Sequence, residues 1–144
     1  MPGSAVRCAR LQRLKIVVAA VAFTAGAMVY VLYRGTDLIG HRLLFALGLG
    51  DMLTTVQQMA PPLTNPTLWR MSCVVPDGLW TLSYVLIISY INRHETLTKR
   101  MLIGAVIPLA GVLSELLQLT GHLPGVYDPL DIVAYILPYF AIFL

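Results

Sequence analysis

Charged residues are scarce in this chain. Only 12% of its 144 residues are Asp, Glu, Lys or Arg, whereas 58% are hydrophobic, and the mean hydropathy is +0.77. This composition lies far to the apolar side of a water-soluble domain and is typical of an integral membrane protein. Because one span takes roughly 20 apolar residues, the length allows about five spans and leaves no room for a separate soluble domain.

Residues that commonly build metal or catalytic sites are also few. The chain has two cysteines that form no close pair, and none of its three histidines lies at helical ligand spacing from another. The glycines do not follow the spacing of a phosphate-binding loop, and Ser114 has no histidine at a defined spacing. We therefore expect no metal, no cofactor and no nucleic-acid partner.

Long apolar stretches, by contrast, are abundant. Four of them qualify as membrane spans: 16–33, 74–91, 101–119 and 130–144. Pro108 predicts a kink in the third. The segment 37–59 has fewer apolar residues for its length. We therefore expect a helix that lies in the membrane interface or enters the bilayer part-way as a re-entrant element. The predicted fold is all-α, a single polytopic transmembrane helix bundle of four spans plus this interfacial helix.

The placement of basic residues predicts the orientation in the membrane. With four spans, seven of the ten basic residues fall on one side: Arg7, Arg10, Arg13, Lys15, Arg93, Lys99 and Arg100. Basic residues that flank spans are retained in the cytoplasm, so both termini are expected there. The first span is longer than the core of a signal peptide and lacks a small-residue cleavage site, which favours an anchor. Cys8 and Cys73 then lie on opposite sides of the bilayer, so no disulfide joins them.

The opposite, extracytoplasmic side collects the acidic residues. On three spans, polar residues recur three, four or seven positions apart and therefore share one helix face. Carboxylates that face lipid are costly, so these faces are expected to turn toward one another and form a cup open to the outer surface. The predicted ligand-binding residues of this cup are Asp77, Trp80, Glu115, Gln118, His122, Asp128 and Asp131.

The aspartates also have a structural explanation. Asp128 followed by Pro129 is typical of a helix start with an aspartate N-cap, and Asp131 then takes the capping-box position. Asp77, which follows Pro76, admits a similar interpretation because a helix dipole favours an acid in the first turn. The sequence leaves open whether these three residues cap helices or bind a ligand.

Glu115 does not fit a capping role, because it lies about one turn inside the predicted end of its helix. A carboxylate at that depth is tolerable only when it is protonated or paired. Its candidate partners are Arg42, Arg70 and His122. A hydrogen bond between helices and a contact to a ligand both remain open for this residue.

The spacing of the acidic motif resembles the VanZ-like family of small multi-pass bacterial membrane proteins. Glu115-x-x-Gln118, a nine-residue loop, Asp128-x-x-Asp131 and then Tyr135 are similar to the family signature of Glu-x-x-Gln, a loop arginine, one or two aspartates and an asparagine. The VPDGLW segment at 75–80 resembles a variant branch. The loop arginine is missing here, and Tyr135 stands in place of the asparagine.

The resemblance implies a bacterial cytoplasmic membrane protein. The family's namesake is associated with resistance to the glycopeptide teicoplanin, which points to antibiotic or envelope-stress resistance but not to a reaction. The first hypothesis is a protein whose cup binds an envelope lipid, a cell-wall precursor or another amphiphile. One alternative is a lipid-modifying enzyme in which Glu115 is the acid and Asp128 or Asp131 the base, with His122 as an alternate. The others are a proton conduit and a structural subunit with a membrane protein partner.

Overall fold

Helices account for all regular structure in the part of the chain that the computed structural model describes. The description covers the backbone of residues 2–35 and 39–144 and the side chains of 10–35 and 41–144. The helices are α1 (Pro2–Tyr33), α2 (Ile39–Ala46), α3 (Gly50–Met59), α4 (Pro66–Ile91), α5 (Leu97–Gly104), α6 (Val106–Leu119) and α7 (Pro129–Phe143). The prediction of an all-α protein is confirmed.

Three helical stretches are long and apolar enough to cross a membrane. They are Arg10–Tyr33, Pro66–Ile91 and the nearly continuous α5 and α6, Leu97–Leu119. Each contains one of the first three predicted spans. α7 is apolar too, but its 15 residues fall below the length of an untilted span. The chain is thus a helical protein with several segments suited to a bilayer.

The second span begins earlier than the apolar pattern predicts. Asn65 is its N-cap and accepts a hydrogen bond from the Thr67 backbone N–H at 2.8 Å, and Pro66 occupies the first turn. Pro76, which the sequence suggested as a start, lies inside the helix. The capping interpretation of Asp77 is therefore wrong, because that residue sits in the middle of α4.

The third span is interrupted near the predicted proline kink. α5 ends at Gly104, and α6 begins at Val106. Because Pro108 has no backbone N–H, the carbonyl of Gly104 loses its usual partner four residues later, which explains the break at this point.

The helices pack closely against one another at several glycines. α1 and α4 are antiparallel, with Gly26 of α1 against the indole of Trp80 in α4. α7 packs against both α4, where Gly78 meets Ala134, and α6, where Gly111 lies under the ring of Tyr135. One end of α1, α4, α6 and α7 is thereby brought together, and the acidic residues lie at that end.

The segment predicted as one interfacial helix contains two. α2 and α3 are separated by a turn at Gly48, whose φ of +75° lies in the left-handed region that glycine adopts without strain. Gln57 of α3 donates hydrogen bonds to the carbonyls of Val31 and Arg34 at 2.9 and 3.1 Å, which ties α3 to the end of α1. Residues 37 and 38 of the predicted segment lie outside the described residues, and its depth in a bilayer stays a prediction.

Candidate functional site

The helix ends of α1, α4, α6 and α7 enclose a cavity of about 640 Å³, which we name the cup. Its charged wall residues are Arg34, Arg70, Asp77, Glu115, Asp128 and Asp131, and Gln118 lies beside them. Five of the seven predicted site residues therefore line one cavity. Trp80 and His122 are not in its wall.

Glu115 is the most deeply buried carboxylate of the cup, with 4% of its surface exposed. Its Oε2 accepts a hydrogen bond from the backbone N–H of Asp128 at 3.2 Å, and its Oε1 accepts one from Gln118 Nε2 at 3.5 Å. Neither contact neutralises a negative charge. The predicted partners Arg42, Arg70 and His122 are wrong, since Glu115 forms no ion pair with any described residue.

The link between Glu115 and Asp128 replaces the expected capping box. In that motif the side chain at the third helical position, here Asp131, accepts the N–H of the N-cap residue. In this protein Glu115 of α6 accepts it instead, so a residue from another helix completes the start of α7. Asp131 lines the cup, and its Oδ1 is buried without a hydrogen-bond partner among the described residues. Its capping-box role is thus not formed.

Asp128, in contrast, does cap α7 as predicted. Its Oδ1 accepts a hydrogen bond from the Leu130 backbone N–H at 2.9 Å. Arg70 also forms a bidentate ion pair with Asp128, in which Nη2 donates to Oδ1 at 2.8 Å and Nε donates to Oδ2 at 3.1 Å. The hydrogen bond from Arg70, and then that from Leu130, lower the pKa of Asp128 below its usual range. Asp128 is therefore ionised at neutral pH and joins the starts of α4 and α7.

Asp77 forms the second ion pair of the wall. Arg34, just after the end of α1, places Nη2 at 3.6 Å from the Asp77 Oδ2. Both side chains are partly shielded from solvent, with 25% and 16% exposure. The pair joins α1 to the middle of α4 and neutralises the charge of Asp77.

From the sequence, Arg70 is only a candidate partner of Glu115 and Arg34 has no assigned contact, yet both arginines line the cup. Arg34 pairs with Asp77 and Arg70 with Asp128, and no cation among the described residues lies within 4 Å of Glu115 or Asp131. Arg70 lies 58 residues from Asp128, so no local spacing could pair them. The only sequence signal was that these arginines share one side of the bundle with the acids.

A second, smaller cavity continues from the cup between α4, α6 and α7. This inner cleft has a volume of about 280 Å³ and shares Asp77, Ser114 and Tyr135 with the cup. The rest of its wall is mainly apolar: Trp80, Thr81, Ile107, Ala110 and Gly111. Trp80 thus belongs to the inner cleft rather than to the cup.

The end of α6 determines the positions of Gln118 and His122. α6 ends at Leu119, and Gly121 takes a φ of +75°, so the polar stripe does not continue by one more turn to His122. His122 is exposed, and its Nδ1 lies 2.8 Å from the Thr120 hydroxyl. Gln118 remains in the cup wall, where the backbone of Gly125 packs closely on its side chain.

The cup wall contains hydrogen-bond donors and acceptors and charged groups of both signs. In the described part of the chain, no group of three or more His, Cys, Asp or Glu side chains is arranged to hold a metal ion. The Ser114 hydroxyl donates to the carbonyl of Gly111 at 2.7 Å, so its proton is used within its own helix. Arg34 and Arg70 of the cup wall pair with Asp77 and Asp128, and the remaining polar groups include the carboxylates of Glu115 and Asp131 and the amide of Gln118.

Comparison with known proteins adds no identity. Searches among protein families, curated proteins and solved structures returned no match for this chain. The likeness to the VanZ-like family therefore rests on the motif residues alone, and function has to be argued from the geometry of the cup.

Proposed function

We propose that α7 is a fourth span and that both termini lie on the cytoplasmic side of a bacterial cytoplasmic membrane. α7 packs antiparallel to the stretch formed by α5 and α6, from the contact of Glu115 with Asp128 to that of Gly104, the last residue of α5, with Phe143. Two helices that pair over the same distance reach the same depth in the bilayer. The excess of basic residues at the other end of the bundle supports the orientation.

This topology predicts the accessibility of Cys73, which lies in the wall of the cup and is partly exposed. In a Cys8→Ser background, a membrane-impermeant maleimide added to intact cells is expected to label Cys73. A Cys73→Ser variant in the same background has no cysteine and serves as the negative control for labelling. Labelling that requires permeabilised cells would reverse the proposed orientation.

We further propose that the cup binds an amphiphile with a cationic or hydroxyl-rich head group, such as an envelope lipid or a cell-wall precursor. The observation that carries this proposal is the uncompensated pair of carboxylates. Arg34 and Arg70 form ion pairs with Asp77 and Asp128, whereas Glu115 and Asp131 have no cation within 4 Å among the described residues, and Asp131 Oδ1 is buried without a hydrogen bond. An amine or several hydroxyls would satisfy these oxygens, while an anionic head group would add repulsion.

The inner cleft supports an amphiphilic ligand rather than a wholly polar one. Its apolar wall joins the cup at Asp77, Ser114 and Tyr135, so a head group in the cup and an apolar tail in the cleft would be continuous. Burial of a chain segment in the cleft would add the usual hydrophobic free energy of roughly 0.8 kcal/mol per methylene.

Membership of the VanZ-like family is part of the same proposal. The family signature has an arginine in the loop before the aspartates, and this chain has none there. Arg70, which comes from the start of α4, contacts the aspartate that follows the loop. Arg70 would then replace the missing loop arginine. If the chain belongs to this family, the resemblance implies a role in envelope or antibiotic resistance.

Three probe amphiphiles with the same twelve-carbon chain test the ligand proposal. We expect dodecyltrimethylammonium and dodecyl maltoside to bind, and dodecyl sulfate to bind more weakly. Glu115→Gln combined with Asp131→Asn keeps the shapes of both side chains and is expected to weaken binding of the cationic probe about tenfold or more. Trp69 lines the cup and Trp80 the cleft, so tryptophan fluorescence reports binding.

The matched control is Glu95→Gln, which removes an acidic charge from a side chain that is 46% exposed and paired with Lys99 at the other end of the bundle. It should bind all three probes as the wild type does. Equal affinity of the double variant and the wild type for the cationic probe would rule out the proposed site. Turnover of a bound envelope lipid that is lost in Glu115→Gln would favour the enzyme alternative.

A further inference from the structure

Two cations converge on one buried hydroxyl at the end of the bundle opposite the cup. The Lys15 Nζ of α1 donates a hydrogen bond to the Ser89 Oγ of α4 at 2.8 Å, and the Arg100 Nη2 of α5 donates to the same oxygen at 2.8 Å. Ser89 itself has no exposed surface. Three helices therefore meet at this cluster of Lys15, Ser89 and Arg100, which we name the basic cluster.

The charge of the basic cluster is not neutralised within the described residues. Neither Lys15 nor Arg100 has a carboxylate within 4 Å among them. Glu95, the acid nearest to this end in the sequence, is paired with Lys99 at 3.0 Å. Two positive charges that share a single neutral acceptor repel each other in a partly buried setting, so the cluster is electrostatically incomplete.

The hydrogen bonds of the cluster are incomplete as well. A hydroxyl oxygen accepts through two lone pairs, and the two cations use both of those on Ser89. The Nε of Arg100 is buried and has no acceptor among the described residues. An acceptor with several oxygens and a negative charge would satisfy both deficits at once, and a phosphate group has these properties.

The position of the cluster favours a phosphate that belongs to a lipid. Lys15 is the last charged residue before the apolar run of α1, and Arg100 lies in the first part of α5, just before its apolar residues. These places correspond to the head-group level of a bilayer. Basic pockets between helices at this level are typical binding sites for anionic lipid head groups.

We propose that the basic cluster binds the phosphate of an anionic phospholipid. The lipid would fix α1, α4 and α5 to one another at this end of the bundle. This role is independent of the cup, because it uses different residues at the opposite ends of the helices.

The chain contains only two lysines, Lys15 and Lys99, which allows an internally controlled test. The wild-type protein is placed in nanodiscs of phosphatidylcholine with or without phosphatidylglycerol, and acylation of each lysine by a water-soluble ester is followed by mass spectrometry. Phosphatidylglycerol is expected to slow acylation of Lys15 about tenfold relative to Lys99, whose side chain is 64% exposed. Equal slowing of both lysines would overturn the proposal.

Inorganic phosphate added to phosphatidylcholine nanodiscs distinguishes the two sources of the anion. Weak or no protection of Lys15 supports a lipid ligand. Protection as strong as that given by phosphatidylglycerol overturns the assignment to lipid.

Two charge-matched variants provide a second measurement. Phosphatidylglycerol should raise the Tm of the wild type and of Lys99→Gln, and this rise should be lost in Arg100→Gln. A rise of equal size in all three proteins would contradict the proposal. If Arg100→Gln does not fold, the acylation of Lys15 and Lys99 in the wild type is the measurement that supports or overturns the proposal.

Discussion

Replacing Gly111 by leucine is expected to separate α6 from α7 and to destroy the cup. The backbone of Gly111 lies directly under the ring of Tyr135, and a Cβ at this position would be 2.6 Å from two ring carbons, Cδ1 and Cγ. Those atoms are close to the backbone of α7, so the ring has little freedom to withdraw. Overpacking typically costs about 1–3 kcal/mol, and we expect a cost near the upper end because the helices have to move apart.

The same separation would break the hydrogen bond between Glu115 and the N-cap of α7, one turn further along α6. We therefore expect a large drop in Tm and a loss of probe binding together. Thermal unfolding and size-exclusion chromatography in detergent measure the first, and tryptophan fluorescence with dodecyltrimethylammonium measures the second.

Gly78 offers a matched control in the contact between α4 and α7. A Cβ there would lie 3.5 Å from that of Ala134, which is an ordinary contact. Gly78→Ala should leave the Tm unchanged or raise it, since alanine favours a helix over glycine by up to about 1 kcal/mol. Gly111→Ala should lower it. A wild-type Tm for Gly111→Leu would mean that α6 and α7 do not pack as described.

Replacing Arg34 by methionine is expected to leave Asp77 as an uncompensated charge in the wall of the cup. Removal of one partner from a fully buried pair costs roughly 3–5 kcal/mol. Here the side chains retain 25% and 16% exposure and the ion-pair distance is 3.6 Å, so we expect about 2 kcal/mol. Chemical unfolding of the purified protein measures the difference.

A double-mutant cycle separates the ion pair from other effects of Arg34, which also lies 6.0 Å from the ring of Tyr30. Adding Asp77→Asn to Arg34→Met should restore most of the lost stability, because the buried charge is then gone. Arg42→Met removes the same charge from an exposed residue and should have little effect. Additive effects of the two substitutions would show that Arg34 and Asp77 are not coupled.

Local patterns predicted some parts of the site well. Asp128 with Pro129 carries its own capping signal, and the structure contains that cap. Asn65 with Pro66 carries the same signal for α4, but the polar residues that follow, Arg70 among them, interrupt the hydropathy pattern, so the apolar run begins only at Val74. The apolar run therefore indicates a later start than the N-cap at Asn65, which is where the helix begins.

Other parts of the site depended on contacts that no local pattern contains. Glu115 was correctly expected to turn away from lipid, but its partner is a backbone N–H on another helix. Asp131 was expected to accept the backbone N–H of Asp128, but Glu115 accepts it instead. The sequence spacing placed both carboxylates near the helix ends, yet only the packing of α6 on α7 decided which of them accepts the N–H.

Apolar helices, and the gathering of acidic and basic residues near different helix ends, can be predicted from the order of residues along this chain. These properties follow from hydropathy and from capping residues, which act within a few turns of chain. The positions of Arg34 and Arg70 in the cup, and the meeting of Lys15 with Arg100 at Ser89, depend instead on how the helices pack. Such pairs join residues as many as 74 positions apart, so they exist only after helix packing has brought the side chains together.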